Sequence, residues 1–253
     1  MSRFIVLFLI CASGLPAEVT LRVMTYNIHH GEGTDGRLDL ERIAAVIRSA
    51  DPDLVALQEI DVRTKRTGGV DQALELARLT GLHALYGATM PFQGGLYGNA
   101  VLSRWPAAGF RNHALPVTPG REPRAVMEVD FRHPAAFRIL ATHLDITRED
   151  RLSAVQAIAR FAPASPALPA ILLGDLNDTP ESPVLAGLFA QGWRSAVQGF
   201  TVPVREPRRQ IDFILLRPAG QWRVLERRVL EERTASDHLP VLAVVELSPA
   251  PVQ

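Results

Sequence analysis

The chain has 253 residues, with 27 basic and 27 acidic side chains, so its formal charge at neutral pH is zero. That balance gives no general field for drawing in a polyanion, which counts against a dedicated nucleic-acid binder while leaving room for a local basic groove. A composition of 47% hydrophobic and 21% charged residues is that of an ordinary globular protein, without a linker, an internal repeat or a low-complexity segment. Met1-Ser2-Arg3 is a short positive head, Phe4 to Ala12 an apolar run, and Ser13 to Ala17 a small-residue segment. Together these predict a secretory signal peptide over residues 1–17, cut after Ala17, and one large domain over residues 18–253. A retained anchor is the rival reading; lipoprotein processing at Cys11 is disfavoured because Ile10 before it is not small. Cys11 is the only cysteine, so the exported chain is expected to be periplasmic or secreted, without a disulfide, its stability resting on its core.

Beyond the signal, Val19 to Thr25 reads as a strand running into Tyr26-Asn27. A glycine-rich loop follows, His29 to Gly36. In extended backbone its adjacent histidines point opposite ways, so at most one faces a site, and His29, two from Asn27, is the better candidate. Asp39 reads as the N-cap of a helix whose stripe is Ile43, Val46 and Ile47. Leu54 to Leu57 is a buried strand ending in Gln58-Glu59. A carboxylate there must be paired, protonated or bound to a cation. Residues 61–69 are basic and glycine-ended, and a solvated loop is the preferred reading. Val70 to Leu79 predicts a helix with Leu74, Leu76, Ala77 and Leu79 inward. Residues 83–98 read as a long glycine-rich loop whose Tyr86, Phe92 and Tyr97 either pack it or meet a base or lipid, and the sequence does not decide between these.

Strands are expected at Gly98 to Arg104, carrying Asn99, at Ala125 to Phe131 after Arg124, and at Phe137 to His143. A helix from Arg148 to Phe161 leads to a loop stiffened by Pro163, Pro166 and Pro169. The most informative stretch comes next. Ile171-Leu172-Leu173-Gly174 is a short buried strand, and Asp175 and Asn177 beyond it face one side, with Leu176 turned away. A strand followed by an Asn-Asp turn capping the next helix accounts for that stretch equally well in isolation. Thr179 to Pro183 opens a short helix to Ala190, the run Arg205 to Gln210 precedes the strand of Ile211-Asp212-Phe213, and Ser236-Asp237-His238 stands before the last strand, Leu239 to Leu247. Six segments offering Asn, Glu, His or Asp at a strand end are best explained by convergence on one site.

In order, Thr25-Tyr26-Asn27, Leu57-Gln58-Glu59, Gly98 to Ser103, Thr142-His143-Leu144, Gly174-Asp175-Leu176-Asn177, Ile211-Asp212-Phe213 and Ser236-Asp237-His238 resemble the motif series of the endonuclease/exonuclease/phosphatase superfamily. The resemblance spans about residues 19–247. It implies an α+β fold, a four-layer α/β/β/α sandwich of two packed mixed β-sheets with outer helices, and a metal-dependent phosphoric ester hydrolase. It implies Mg2+, with Mn2+ or Ca2+ as alternatives, held by Glu59 with Asn27 nearby and Asp237 helping. His238, oriented by Asp212 and assisted by Asp175, would activate water; Asn177 and His143 would hold phosphoryl oxygens and meet the leaving group. His29, Asn99 and Arg124 are weaker candidates for touching the substrate phosphate. His143 argues against the abasic-site branch, which carries tyrosine there. The Tyr26 to Gly31 opening and Glu59-Ile60-Asp61 look most like an exported bacterial branch related to GPI-lipid remodelling proteins, which favours a phospholipid or small phosphodiester substrate. A secreted endonuclease acting on DNA or RNA is the alternative, and a catalytically silent binding module the third. A monomer with no obligate protein partner is expected.

Overall fold

The computed structural model describes residues 18–162 and 168–248; the signal peptide expected over residues 1–17 and the loop prolines Pro163 and Pro166 lie outside them. The elements run β1 (Val19–Asn27), α1 (Leu40–Ala50), β2 (Leu54–Val62), α2 (Gln72–Thr80), β3 (His83–Phe92), β4 (Gly95–Ser103), β5 (Gly109–Ala114) and β6 (Ala125–Phe131). Then follow β7 (Phe137–His143), α3 (Arg148–Ile158), β8 (Ala170–Asp175), α4 (Pro183–Ala190), β9 (Arg194–Ser195), β10 (Asp212–Arg217), β11 (Trp222–Val229) and β12 (Val241–Leu247). They form two six-stranded sheets, ordered β11-β12-β1-β2-β4-β3 and β5-β6-β7-β8-β10-β9. This is the expected four-layer sandwich.

The strand sequences explain the layers. Alternate residues of a strand face opposite sides, and here both sides are covered, so the strands read as nearly continuous apolar runs. Leu21, Val23, Leu54 and Ala56 meet Ile139, Ala141, Ile171 and Leu173 between the sheets. Met24, Tyr26, Val55 and Leu57 on the outer face pack under Ile43 and Ile47 of α1 and Leu76 of α2. Leu140, Leu172 and Leu215 do the same beneath α3 and α4, with Trp193 fully buried among them. Helices α1 and α2 begin where a short acceptor side chain meets the first free N–H groups: Asp39 accepts from Arg42 N at 2.9 Å, and Asp71 from Leu74 N at 3.1 Å.

Each sheet contains one parallel pair joined by a helical crossover, β1 with β2 through α1, and β7 with β8 through α3. The carboxyl ends of β1, β7 and β8 therefore open at one edge of the sandwich, where ligands bind in sheets of this kind.

Several expectations are corrected. Residues 83–98 are no loop: β3 and β4 form a hairpin turning at Gln93-Gly94. Leu74 is 63% exposed and Ala73 turns inward in its place, while Leu76, Ala77 and Leu79 pack inward as expected. Glu59 lies within β2, not at its end. Residues 61–69 are anchored by Asp61, which is fully buried and clasped by Arg66.

Gly174 shows how tightly β7 and β8 approach. Its φ is +145°, and a Cβ there would lie 1.8 Å from the Thr142 carbonyl oxygen. Gly174→Ala is accordingly expected to cost about 3 kcal/mol or more, from overpacking added to backbone strain. Urea unfolding would show it as a lowered midpoint, and an unmoved midpoint would refute the packing argument.

Candidate active site

The site is assembled from both sheets. On the first, β2 carries a bulge between Leu57 and Ile60 in its pairing with β4, and Glu59 within it has a left-handed backbone, φ 62°. That conformation is uncommon for a residue with a side chain and turns the half-buried carboxylate toward the end of β1. There the Asn27 amide nitrogen donates to Glu59 Oε1 at 3.0 Å and to Asp175 Oδ2 at 3.2 Å. One buried amide thus ties an acid of each sheet to the same point. The Asn27 carbonyl accepts from Ser236 Oγ at 2.7 Å, which pins the segment carrying Asp237 and His238 against β1.

On the second sheet the ladder itself aligns the chemistry. His143 on β7 is in register with Asp175 on β8, and Asp175 with Asp212 on β10. His238 Nδ1 stands 3.0 and 3.2 Å from the two oxygens of Asp212, and its Nε2 lies 3.7 Å from Asp175 Oδ2. Asn177 is also left-handed, φ 52°. Its backbone N–H donates to Asp175 Oδ1 at 2.8 Å, and its amide nitrogen donates to the Leu144 carbonyl at 2.9 Å and stands 3.1 Å from His143 Nε2. Asp175 and Asn177 do reach one site, through this turn rather than through extended backbone.

Burial sets the charges here. It pushes the Asp175 carboxyl up to about 7, helped by the charge of Asp212 and opposed by His238 and by the Asn177 and Asn27 hydrogen bonds. Burial alone would lower His238, but the charges of Asp212 and Asp175 and the Asp212 hydrogen bond outweigh it and hold the imidazolium up to about 10. His143 falls well below the usual imidazole range, first from burial and then from the charges of Arg124 and His238, so it is neutral.

Both raised groups bind more protons folded than unfolded, so each contributes stability that is lost as pH rises: Asp175 between about 4 and about 7, His238 between about 6.5 and about 10. In chelator, the melting temperature of the protein is expected to fall from pH 7 to pH 10 by more than that of His238→Ala, as thermal unfolding across that range would show. Parallel curves would mean that His238 is not held protonated.

The floor opens into a cleft of about 290 Å³. One wall is the β3–β4 hairpin, where Phe92 and Tyr97 support the Arg66 guanidinium, 4.6 Å and 5.7 Å from their ring centroids. The other holds Arg124, buried, its Nη1 2.8 Å from Glu122 Oε1 and its Nε without a partner. A buried guanidinium N–H beside a cleft is a ready donor to an anionic oxygen. Met90, Glu122 and Ile146 line the cleft without having stood out in the sequence, and Arg66 comes from the run expected to be a solvated loop. Asn99 is buried on β4 opposite the Glu59 bulge, its amide nitrogen unpartnered. Asp237 is exposed and meets Ser236 Oγ at 3.4 Å, with no polar contact to Glu59 or Asn27. His29 does not line the cleft; its Nδ1 stands 3.2 Å from the Glu32 carbonyl.

Glu59 and Asp175, drawn to one amide and free of any thiol, make a donor set that fits a hard, oxygen-seeking divalent cation. A buried carboxylate–imidazole pair beside such a position, with an arginine turned toward the same cleft, is equipment for cleaving phosphoesters.

The chain belongs to the Endonuclease/Exonuclease/phosphatase family, which matches it over residues 24–238 and whose members hydrolyse phosphoesters. It is 26% identical over 250 residues to the uncharacterised protein YbhP of Escherichia coli, covering 91% of this chain and 98% of that one. Among solved structures it resembles an endonuclease/exonuclease/phosphatase from Beutenbergia cavernae, with a TM-score of 0.75 at 28% identity over 92% of this chain and 73% of the other. It shares its fold with a mannosyl-6-phosphatase of Bacteroides thetaiotaomicron, with a TM-score of 0.73 at 18% identity over 89% of this chain and 99% of that one.

Proposed function

We propose that the chain is an exported, magnesium-dependent phosphodiesterase acting on a phospholipid or another small phosphodiester. The observation that carries this reading is the Asp212–His238 pair, set 3.7 Å from Asp175, at the edge where one amide joins Asp175 to Glu59. His238 Nε2 takes a proton from water as its oxygen attacks phosphorus, and Asp212 holds the ring and favours the imidazolium that forms. Asp175 fixes the water in line with the departing ester oxygen. Asn177, neutral His143 and the free Arg124 N–H hold phosphoryl oxygens as charge spreads over them, the P–O bond breaks, and the departing alkoxide takes a proton from solvent to give the alcohol. Glu59, with Asn27 and Asp175, would hold magnesium, which when bound would polarise the phosphoryl group and offset the acids that otherwise keep His238 protonated.

The substrate preference rests on the cleft. A volume of about 290 Å³ closed by the Phe92–Tyr97 hairpin suits one phosphoester head, and Ile146 on its rim is 68% exposed, an apolar contact for a lipid body. The alternative is a secreted endonuclease, favoured by Arg66 and Arg124 facing one cleft. Export rests on the residues 1–17 reading, and a mature N-terminus at Glu18 in the exported protein would test it.

The deciding experiment offers plasmid DNA, RNA, sphingomyelin, phosphatidylinositol and a chromogenic diester to the protein, each with magnesium and with chelator, beside a His238→Ala control. Magnesium-dependent cleavage of lipid or small diester alone is the expected result. Cleavage of nucleic acid alone, weakening steeply with salt, would establish the endonuclease instead. Silence on all five would overturn both.

A further inference from the structure

Glu59 has a second set of neighbours that the hydrolytic mechanism does not use. One ligand atom from each of His29, His30 and Glu59 lies within 4.8 Å of the other two. Sequence reasoning held that consecutive histidines face opposite ways, which is true of extended backbone. Here both are left-handed, φ 46° and 42°, within a single 3-10 turn at His29–Gly31, and their rings stand edge to face with centroids 4.5 Å apart. Two such residues in succession are strained and persist only where the surroundings enforce them. The enforcement is visible: buried Gln72 donates to the His30 carbonyl at 2.6 Å and accepts from Asp61 N at 2.9 Å, lashing the turn to β2 just past Glu59.

Each imidazole directs one nitrogen to Glu32 and keeps the other free. His29 Nδ1 lies 3.2 Å from the Glu32 carbonyl, to which it donates, so Nε2 is the nitrogen left open to a metal. His30, its side chain 9% exposed, faces the Glu32 carboxylate with Nε2 at 3.5 Å, and its Nδ1 is buried with no partner. A core histidine normally has its buried nitrogens satisfied. A ring nitrogen given to a carbonyl or carboxylate, with the other left open beside a second imidazole and an acid, is the pattern of metal-ligating histidines.

We propose that His29, His30 and Glu59 form a binding site for a divalent first-row transition-metal ion of the zinc type, distinct from the oxygen-rich position between Glu59 and Asp175 and antagonistic to magnesium there because Glu59 is shared. Two imidazoles and one carboxylate are a donor set for zinc, whereas magnesium prefers oxygen alone. Occupation of the histidine site draws on the charge that the cleft cation needs, and the coupling is reciprocal.

The test is equilibrium dialysis of the full chain against micromolar zinc, with metal counted by mass spectrometry, which needs no substrate and is independent of the proposed hydrolysis. The expected result is one zinc per chain, weakened about tenfold or more in His30→Ala and in His29→Gln, unaffected in His238→Ala, and weakened several-fold by millimolar magnesium. Cobalt(II) in place of zinc is expected to give visible absorption bands that the two ligand variants lose while keeping a native circular dichroism spectrum. Equal zinc binding by wild type and both variants, loss of zinc in His238→Ala instead, or no zinc bound at all would each overturn the site. Zinc affinity indifferent to magnesium would overturn the sharing of Glu59.

Discussion

His238→Ala is expected to lower the rate of phosphodiester cleavage by about 10²–10⁴-fold, the contribution of a positioned general base, while the protein stays folded. The reason lies in the two carboxylates around the ring. Asp212 contacts Nδ1 at 3.0 Å, and Nε2 points toward Asp175, so the proton-accepting nitrogen is the one nearest the attacking water. Alanine removes the acceptor without touching the sheet ladders, because His238 lies in a loop held by Ser236 and by the Leu239 N–H, which donates to the Thr201 carbonyl at 2.9 Å. Asp212→Asn is expected to impair turnover less than His238→Ala, since it leaves a ring that can accept a proton but no charge to favour the imidazolium. Steady-state rates with a chromogenic diester, beside a thermal melt of each variant, check both. A folded His238→Ala that retains most of its turnover would sink the assignment.

Glu59→Gln is expected to raise the magnesium concentration for half-maximal turnover by about 10–100-fold or more. Glutamine keeps the shape of the side chain and an oxygen to accept from the Asn27 amide, so the bulge in β2 is preserved; what disappears is one of the two charges that the amide gathers. The maximal rate at saturating magnesium should fall less than the apparent affinity, since the Asp212–His238 pair is left untouched by the substitution. A magnesium titration of turnover separates the two quantities. An unchanged half-saturation point would mean that the cation rests on other residues.

Much of this site was legible in the sequence because its residues follow buried strands. Strands covered on both faces are written as apolar runs, and a polar side chain at the end of such a run stands out, as Asn27, His143 and Asp175 do. The β3–β4 hairpin was not legible, because its glycines signal a loop while serving close packing. A Cβ at Gly98 would lie 2.1 Å from the Gly87 carbonyl oxygen, and one at Gly95 would lie 2.2 Å from that of Val62. Arg66 was hidden for a related reason. A run of charges reads as solvated, and nothing local to it reveals that Asp61 is buried and that aromatic rings from a distant hairpin lie beneath the guanidinium. The paired left-handed histidines depend on Gln72, 42 positions from His30 in the chain, a contact that only the tertiary structure supplies.

The single amide of Asn27 that meets an acid from each sheet makes turnover a joint property of the two halves of the sandwich. Glu59 belongs to one half, while His143, Asp175 and Asp212 belong to the other, and between them lies an apolar interior that no ladder crosses. A small slippage of the halves would separate Glu59 from Asp175 while every strand kept its partners. Catalysis in this fold is therefore a gauge of docking between the sheets, more sensitive than any measure of strand content.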